Sequence, residues 1–257
     1  MPELPRFSFR CIPVWQRNAQ VWLKLARPSL VGNFGEPLFY LLALGYGLGS
    51  YIGEVGGLPY IVFLASGIVC SSTMYTATFE SLYSSYTRMR VQGSWEAMLA
   101  APLNLDDIVV GEVLWGGTKS LISASAILAV AAMLGAVDGW LALAVLPLAF
   151  MLGCCFSAMA MVVTAIAPSY DFFLYYFTLV VTPMFLMSGV FFPLEGMPAL
   201  VQLAAQLLPL YHAVEVVRPL MTGLPLDSVI LHITVPLIYC YAAICLAITL
   251  LRRRMLI

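Results

Sequence analysis

The chain has 257 residues, 62% of them hydrophobic and only 10% charged, with a formal net charge of −1 and a mean hydropathy of +0.95. Soluble domains carry about 25% charged residues, so an ordinary soluble enzyme or binding module is excluded and the chain belongs in lipid. A helix crossing the hydrocarbon takes about 20 residues, so six crossings use roughly half the chain and leave no room for a soluble catalytic domain.

Residues 1–28 alternate basic and apolar side chains, with Phe7, Phe9, Ile12, Trp15, Val21, Trp22 and Leu25 set against Arg10, Arg17 and Lys24. The pattern predicts an amphipathic helix in the membrane interface. No early apolar stretch with a small-residue cleavage site is present there, so the first membrane helix is expected to anchor the mature protein. Spans are expected at about 30–51, 60–83, 108–134, 141–167, 172–192 and 229–250. Between the last two, Pro193 and Pro209 bracket an apolar segment too short to cross, which predicts a re-entrant or surface-lying piece at about 193–212 in the outer leaflet.

Ten of the twelve Lys and Arg residues fall in three clusters: Arg6, Arg10, Arg17, Lys24 and Arg27; Arg88 and Arg90; and Arg252, Arg253 and Arg254. The loops near residues 53–59 and 135–140 have none. Positive residues mark the cytoplasmic side, so both ends and the loop after the second span are placed in the cytoplasm. Clustering by topology rather than along a stripe excludes a nucleic-acid partner. Six cysteines lie almost wholly in apolar runs, without zinc or disulfide spacing, and read as buried thiols.

Four groups of residues stand out. Residues 88–103 read as a short cytoplasmic amphipathic helix with Val91, Trp95, Met98, Leu99 and Pro102 on one stripe; it is either an interfacial anchor or a docking helix for a soluble partner. Glu36, Glu80, Glu112 and Lys119 fall at membrane depth, where an unpaired charge costs at least about 2.5 kcal/mol. Glu112 and Lys119 share a face about 10 Å apart, so each needs a partner on another helix. These charges serve either as structural glue or as contacts for a proton or cargo. Tyr170, Phe172, Phe173, Tyr175, Tyr176 and Phe177 exceed one interfacial belt, and some are candidates to line a glycan-lipid path. His212, Glu215 and Arg218, three apart, form either a hydrogen-bonded cluster or a gate at the outer side.

Two phrases resemble a known family. Gly93-Ser-Trp-Glu-Ala-Met-Leu-Ala-Ala-Pro-Leu103 is similar to the coupling helix of type-2 ABC exporter permeases. Met187-Ser-Gly-Val-Phe-Phe-Pro-Leu-Glu-Gly-Met-Pro198, with Leu208-Pro-Leu-Tyr-His-Ala-Val-Glu-Val-Val-Arg-Pro-Leu220, resembles the end of NodJ-like permeases, which export nodulation lipo-oligosaccharides. The resemblance implies an all-α polytopic protein, a single transmembrane domain over 1–257, in the bacterial inner membrane. It also implies a homodimer paired with two ABC ATPase subunits, an amphiphilic glycan or lipid cargo, and ATP and magnesium bound by the ATPase alone. Consistently, Gly116-Gly-Thr-Lys-Ser120 is not a phosphate-binding loop. In this reading Trp95, Met98 and Leu99 anchor in a groove of the ATPase, and Arg90 and Glu96 are polar partners. A drug or other hydrophobic cargo is the alternative; an intramembrane hydrolase, using Ser66 or Ser188 with a histidine, or a channel are more distant ones.

Overall fold

The computed structural model describes residues 8–24 and 38–255. The described chain is predominantly helical. Helix α1 (Cys11–Lys24) buries Cys11, Val14 and Asn18 on one face, the three- and four-residue spacing of an amphipathic helix. Helix α2 (Leu38–Ile52) follows; the expected start of the first span and Glu36 lie outside the described residues. A two-residue turn at Gly56 and Gly57, both at positive φ, joins β1 (Glu54–Val55) to β2 (Leu58–Pro59), a tight hairpin that glycine permits.

Helix α3 (Tyr60–Val91) runs for 32 residues, about 48 Å at 1.5 Å per residue, well beyond the roughly 30 Å of hydrocarbon. It contains wide π turns at Glu80–Ser84 and Thr87–Val91. The helix expected to stop near residue 83 thus carries Arg88 and Arg90 itself, and the separate cytoplasmic helix expected over 88–103 is reduced to α4 (Ser94–Leu99). Helix α5 (Leu105–Met133) begins with a capping box between Asn104 and Asp107, which satisfies orphan N–H groups at its start. Then come α6 (Trp140–Ile166), α7 (Phe172–Met187), α8 (Ala199–Ala205), α9 (Pro209–Thr222) and α10 (Val229–Met255). Arg252, Arg253 and Arg254 are part of α10 rather than a tail after it.

Four helices, α3, α5, α6 and α10, are long and apolar enough to cross a membrane among the described residues. The pair α8 and α9, bent by 86°, makes a fifth if taken as one broken span, and α2 and α7 are shorter apolar helices. Pro209 opens α9, which continues to Thr222 and buries Leu210, Val214, Val217 and Met221 in the core. The segment expected at 193–212 thus contains α8 and leads through the 86° bend into α9, which runs on past residue 212 to Thr222.

α3 is the most enclosed helix, packed against α5, α6 and α9, while α1 lies along α5 and α10 along α6. The α5–α6 seam is built from small residues. A Cβ added at Gly117 would lie 2.5 Å from Cys154 Sγ, and one at Gly116 2.7 Å from Ser157 Cβ. Close approach of this kind substitutes for the hydrophobic drive that lipid does not supply. Hydroxyls stitch the same three helices: Ser81 to Ser157 at 2.6 Å, Ser72 to Ser123 at 2.7 Å, Ser120 to the Thr73 carbonyl at 2.9 Å and Thr164 to the Ser81 carbonyl at 2.8 Å.

Candidate functional site

The wide turns of α3 bring buried charges together. Arg88 donates through Nε to Glu112 Oε1 at 3.0 Å and through Nη2 to Glu80 Oε1 at 2.9 Å, and it also pairs with Glu112 Oε2. Lys119 Nζ lies 3.4 Å from Glu80 Oε2, Trp115 Nε1 donates to Glu80 at 3.0 Å, and Ser85 donates to Glu112 at 2.9 Å. Glu112 is completely buried. Two carboxylates and two cations cancel, and the added donors satisfy the carboxylate oxygens, the condition for tolerating ions out of water. Of the charges singled out from sequence, Glu80, Glu112 and Lys119 meet here. The counter-ion that the two carboxylates share is Arg88, which sequence reasoning assigned only to topology.

Helix α4 packs against the end of α3 that carries Arg88 and against α5. Gly93 adopts the left-handed conformation with φ 60°, turning the chain sharply between α3 and α4 as glycine alone does cheaply. Trp95 is fully buried among Leu82, Tyr86, Met89, Leu105 and Ile108. It therefore does not project toward a partner, contrary to the role expected for it as a groove anchor; its ring pins α4 to the ends of α3 and α5. Met98 and Leu99 are partly buried against the same core. Arg90, Val91, Glu96, Ala97 and Ala100 form the exposed surface instead. The outward face of α4 is thus small and acidic, presented on a rigid base.

Cations fasten that base from three sides. Arg254 donates to the carbonyls of Thr164, Ala165 and Ala167 at 2.7–3.0 Å, capping the end of α6 where the helix dipole is negative. Arg252 pairs with Asp106 at 2.6 Å, and Arg10 donates to the Pro102 carbonyl at 3.1 Å. Arg17 Nη2 donates to Ser94 Oγ at 2.9 Å, and Trp15 Nε1 to Thr118 Oγ1 at 2.8 Å, so α1 is bound to both α4 and α5. Arg10, Arg17, Arg252 and Arg254 thus hold the ends of the helices together.

The aromatic group divides. Phe173 is fully buried, packed between Tyr83 and Tyr86 with centroids 5.2 and 5.3 Å away, and does not face a path. Tyr176 and Phe177 are partly buried, while Tyr175 is exposed beside Leu174 and Leu179. Tyr170 hydrogen-bonds Thr87 at 2.7 Å and stacks parallel to Tyr83 at 6.2 Å. Rings continue through Phe79, Phe177, Tyr75 and Phe185 to Phe191, a file along α3 and α7 that includes residues from α3 not singled out in the sequence.

At the other end of α3, Arg218 donates to Ser66 Oγ at 3.1 Å and the Gly189 carbonyl at 2.7 Å, with its guanidinium 3.7 Å from the Phe63 ring centre. His212 Nε2 contacts the Gln206 carbonyl at 2.8 Å and must be its protonated nitrogen, so Nδ1 accepts from His232 Nδ1 at 2.9 Å. Glu215, Arg218 and Tyr211, with Glu195 and Gln202, line a cavity of about 380 Å³ between α9 and the 189–195 turn. Thus Glu215 and Arg218 share one space, while His212 is turned toward α10. Ser66 and Ser188 each donate to a carbonyl of their own helix, Phe63 and Met184, and neither is hydrogen-bonded to His212 or His232, so no hydrolytic dyad is assembled among the described residues.

The family model for the ABC-2 type transporter matches residues 12–222, which includes the charge cluster, α4 and the cavity. Nodulation protein J of Rhizobium leguminosarum bv. trifolii is 46% identical over 98% of this chain and 97% of that protein. Nodulation protein J of Rhizobium meliloti (strain 1021) is 43% identical over 98% and 97%. The inner membrane transport permease YadH of Escherichia coli (strain K12) is 24% identical over 79% of this chain and 78% of its own length. A helical membrane chain with these matches belongs to the ABC-2 type transporter family of membrane permeases.

Proposed function

We propose that this chain is the membrane subunit of an ATP-driven exporter that moves an amphiphilic or lipid-linked oligosaccharide outward across the bacterial inner membrane. In this reading α2, α3, α5, α6, α7 and α10 are the six crossings, and α1, α4 and both chain ends face the cytoplasm. Two copies of the chain pair through exposed apolar faces such as that of α7, where Leu174, Tyr175 and Leu179 are uncovered. Two ATPase subunits supply the energy, with ATP and magnesium bound there and no cofactor on this chain. The similarity to nodulation proteins J favours the glycan cargo over a drug. The cargo path follows the aromatic file.

The observation that carries the reading is the build of α4. Its exposed face, centred on Glu96, is held by a wholly buried Trp95 and reaches the Glu80–Arg88–Glu112 cluster through a single glycine turn. A push on Glu96 is therefore delivered to α3 and α5 without being absorbed by loose chain. Gentle purification of the tagged chain from its native membrane is expected to bring an ABC ATPase with it in comparable amount. Glu96→Arg is expected to lose the ATPase while the permease itself melts as before. An unaccompanied native chain, under conditions that keep other membrane complexes intact, would sink the proposal.

A further inference from the structure

A cavity of about 430 Å³ lies between α1, the end of α3 and the turn before α7, and it shares Arg88 with the charge cluster. Arg17, Asn18, Tyr83, Thr87, Arg88 and Tyr170 are among the residues that line it. Two of these side chains are cationic, and among the described residues no carboxylate lines the space. Behind it Glu80 and Glu112 are already matched by Arg88 and Lys119, while Arg17 has no acidic partner among the described residues. Arg17 is therefore the uncompensated cation at this cavity.

Asn18 supplies the independent observation. It is only 3% exposed. Arg17 Nη1 donates to Asn18 Oδ1 at 3.2 Å, which fixes the amide orientation, since the flipped form would set two donors against each other. The amide nitrogen Nδ2 is then buried with no acceptor. Donors left in this way carry a desolvation cost of about 1–3 kcal/mol each. A buried N–H group beside a guanidinium that has no acidic partner among the described residues calls for a ligand that brings oxygen acceptors and negative charge.

We propose that this cavity binds the phosphate headgroup of an amphiphile, with the Arg17 guanidinium as its cation and the Asn18 amide as its buried hydrogen-bond donor. The phosphate oxygens accept from Asn18 Nδ2 and the Arg17 guanidinium, and Tyr83 and Tyr170 flank the headgroup. Arg17 is simultaneously bonded to Ser94 at the start of α4, so an occupied cavity draws on the same guanidinium that fastens α4. The site stands whether or not the chain exports a glycan, and its test uses neither ATPase nor transport.

Native mass spectrometry of the full chain released from detergent micelles tests this with dioleoylphosphatidic acid as the probe and inorganic phosphate as competitor. Saturable binding of a single phosphatidic acid is expected, weakened about tenfold or more in Arg17→Gln and Asn18→Asp, the loss expected for a charge-assisted hydrogen bond. Trp15→Phe, which removes a bond of α1 to α5 away from the cavity, is expected to bind as the native chain does and serves as the control for folding. Displacement by inorganic phosphate assigns the site to the oxyanion whatever carries it; resistance to displacement assigns it to the headgroup together with its acyl chains. Absence of saturable binding, native-like binding by both Arg17→Gln and Asn18→Asp, or equal binding of phosphatidylcholine would overturn the proposal.

Discussion

Arg88 is the residue on which most of the buried electrostatics turns. It is 13% exposed between carboxylates that are 7% and 0% exposed, and removing one partner of such a group leaves a charge without compensation. Glu112→Leu is expected to destabilise the detergent-solubilised chain by about 3 kcal/mol. The double variant Arg88→Met with Glu112→Leu is expected to recover part of that loss, because both charges are gone and similar volumes remain. Thermal unfolding of the two variants and the corresponding single Arg88→Met closes the cycle; additive losses would mean that the pair contributes no coupling. The sequence shows that charges at membrane depth need partners, and it places Glu112 and Lys119 too far apart to serve each other. It does not show Arg88 as the partner, because in a regular helix residues eight apart differ by about 80° around the axis. The extra residue in the turn beginning at Glu80 removes that offset. Trp95 illustrates the opposite limit: an apolar stripe on a short helix tells which face avoids water, but not whether the helix's own protein or another molecule covers it.

Among the elements, α5 and α6 depend on a seam where side chains are nearly absent. The Phe150 carbonyl as well as Cys154 stands close to Gly117, so the space cannot be opened by moving a side chain alone. Gly117→Val is expected to cost about 1–3 kcal/mol by overpacking, seen as lower melting temperature and lower yield of folded chain, whereas Gly47→Ala, where nothing lies within 4 Å, is expected to behave as native. Equal effects would show that the seam is not a tight contact. Hydropathy made the long apolar helices legible, since backbone in lipid must hydrogen-bond within its own helix. Helix ends were less legible. α3 continues past its apolar stretch because Leu82, Tyr86 and Met89 still have a core to enter, and α9 forms because its face carrying Leu210, Val214, Val217 and Met221 packs inward. Both depend on contacts made by segments distant in sequence.

For the whole molecule, basic residues fasten the helix ends, and their clustering makes a prediction of sidedness. If the ends carrying α1, α4 and the Arg triplet lie in the cytoplasm, the loop around Asp138 lies outside. Asp138→Cys is expected to react with a membrane-impermeant maleimide in cells with a permeabilised outer membrane, and Ala101→Cys only after the inner membrane is breached. Both native positions are exposed, so accessibility reports sidedness; the reverse pattern would invert the molecule. The long apolar helices were written in composition, whereas the proposed phosphate cavity was not, since its residues come from α1, α3 and the turn before α7 and acquire meaning only through burial. The wide turns of α3 have one more consequence. Each accommodates an additional residue, so the number of residues between Glu80 and Gly93 sets the angular phase of α4 against the body of the protein. One residue added or removed there turns everything beyond by about 100°. That stretch behaves like the toothed wheel of a gear train, in which the tooth count matters as much as the identity of any tooth.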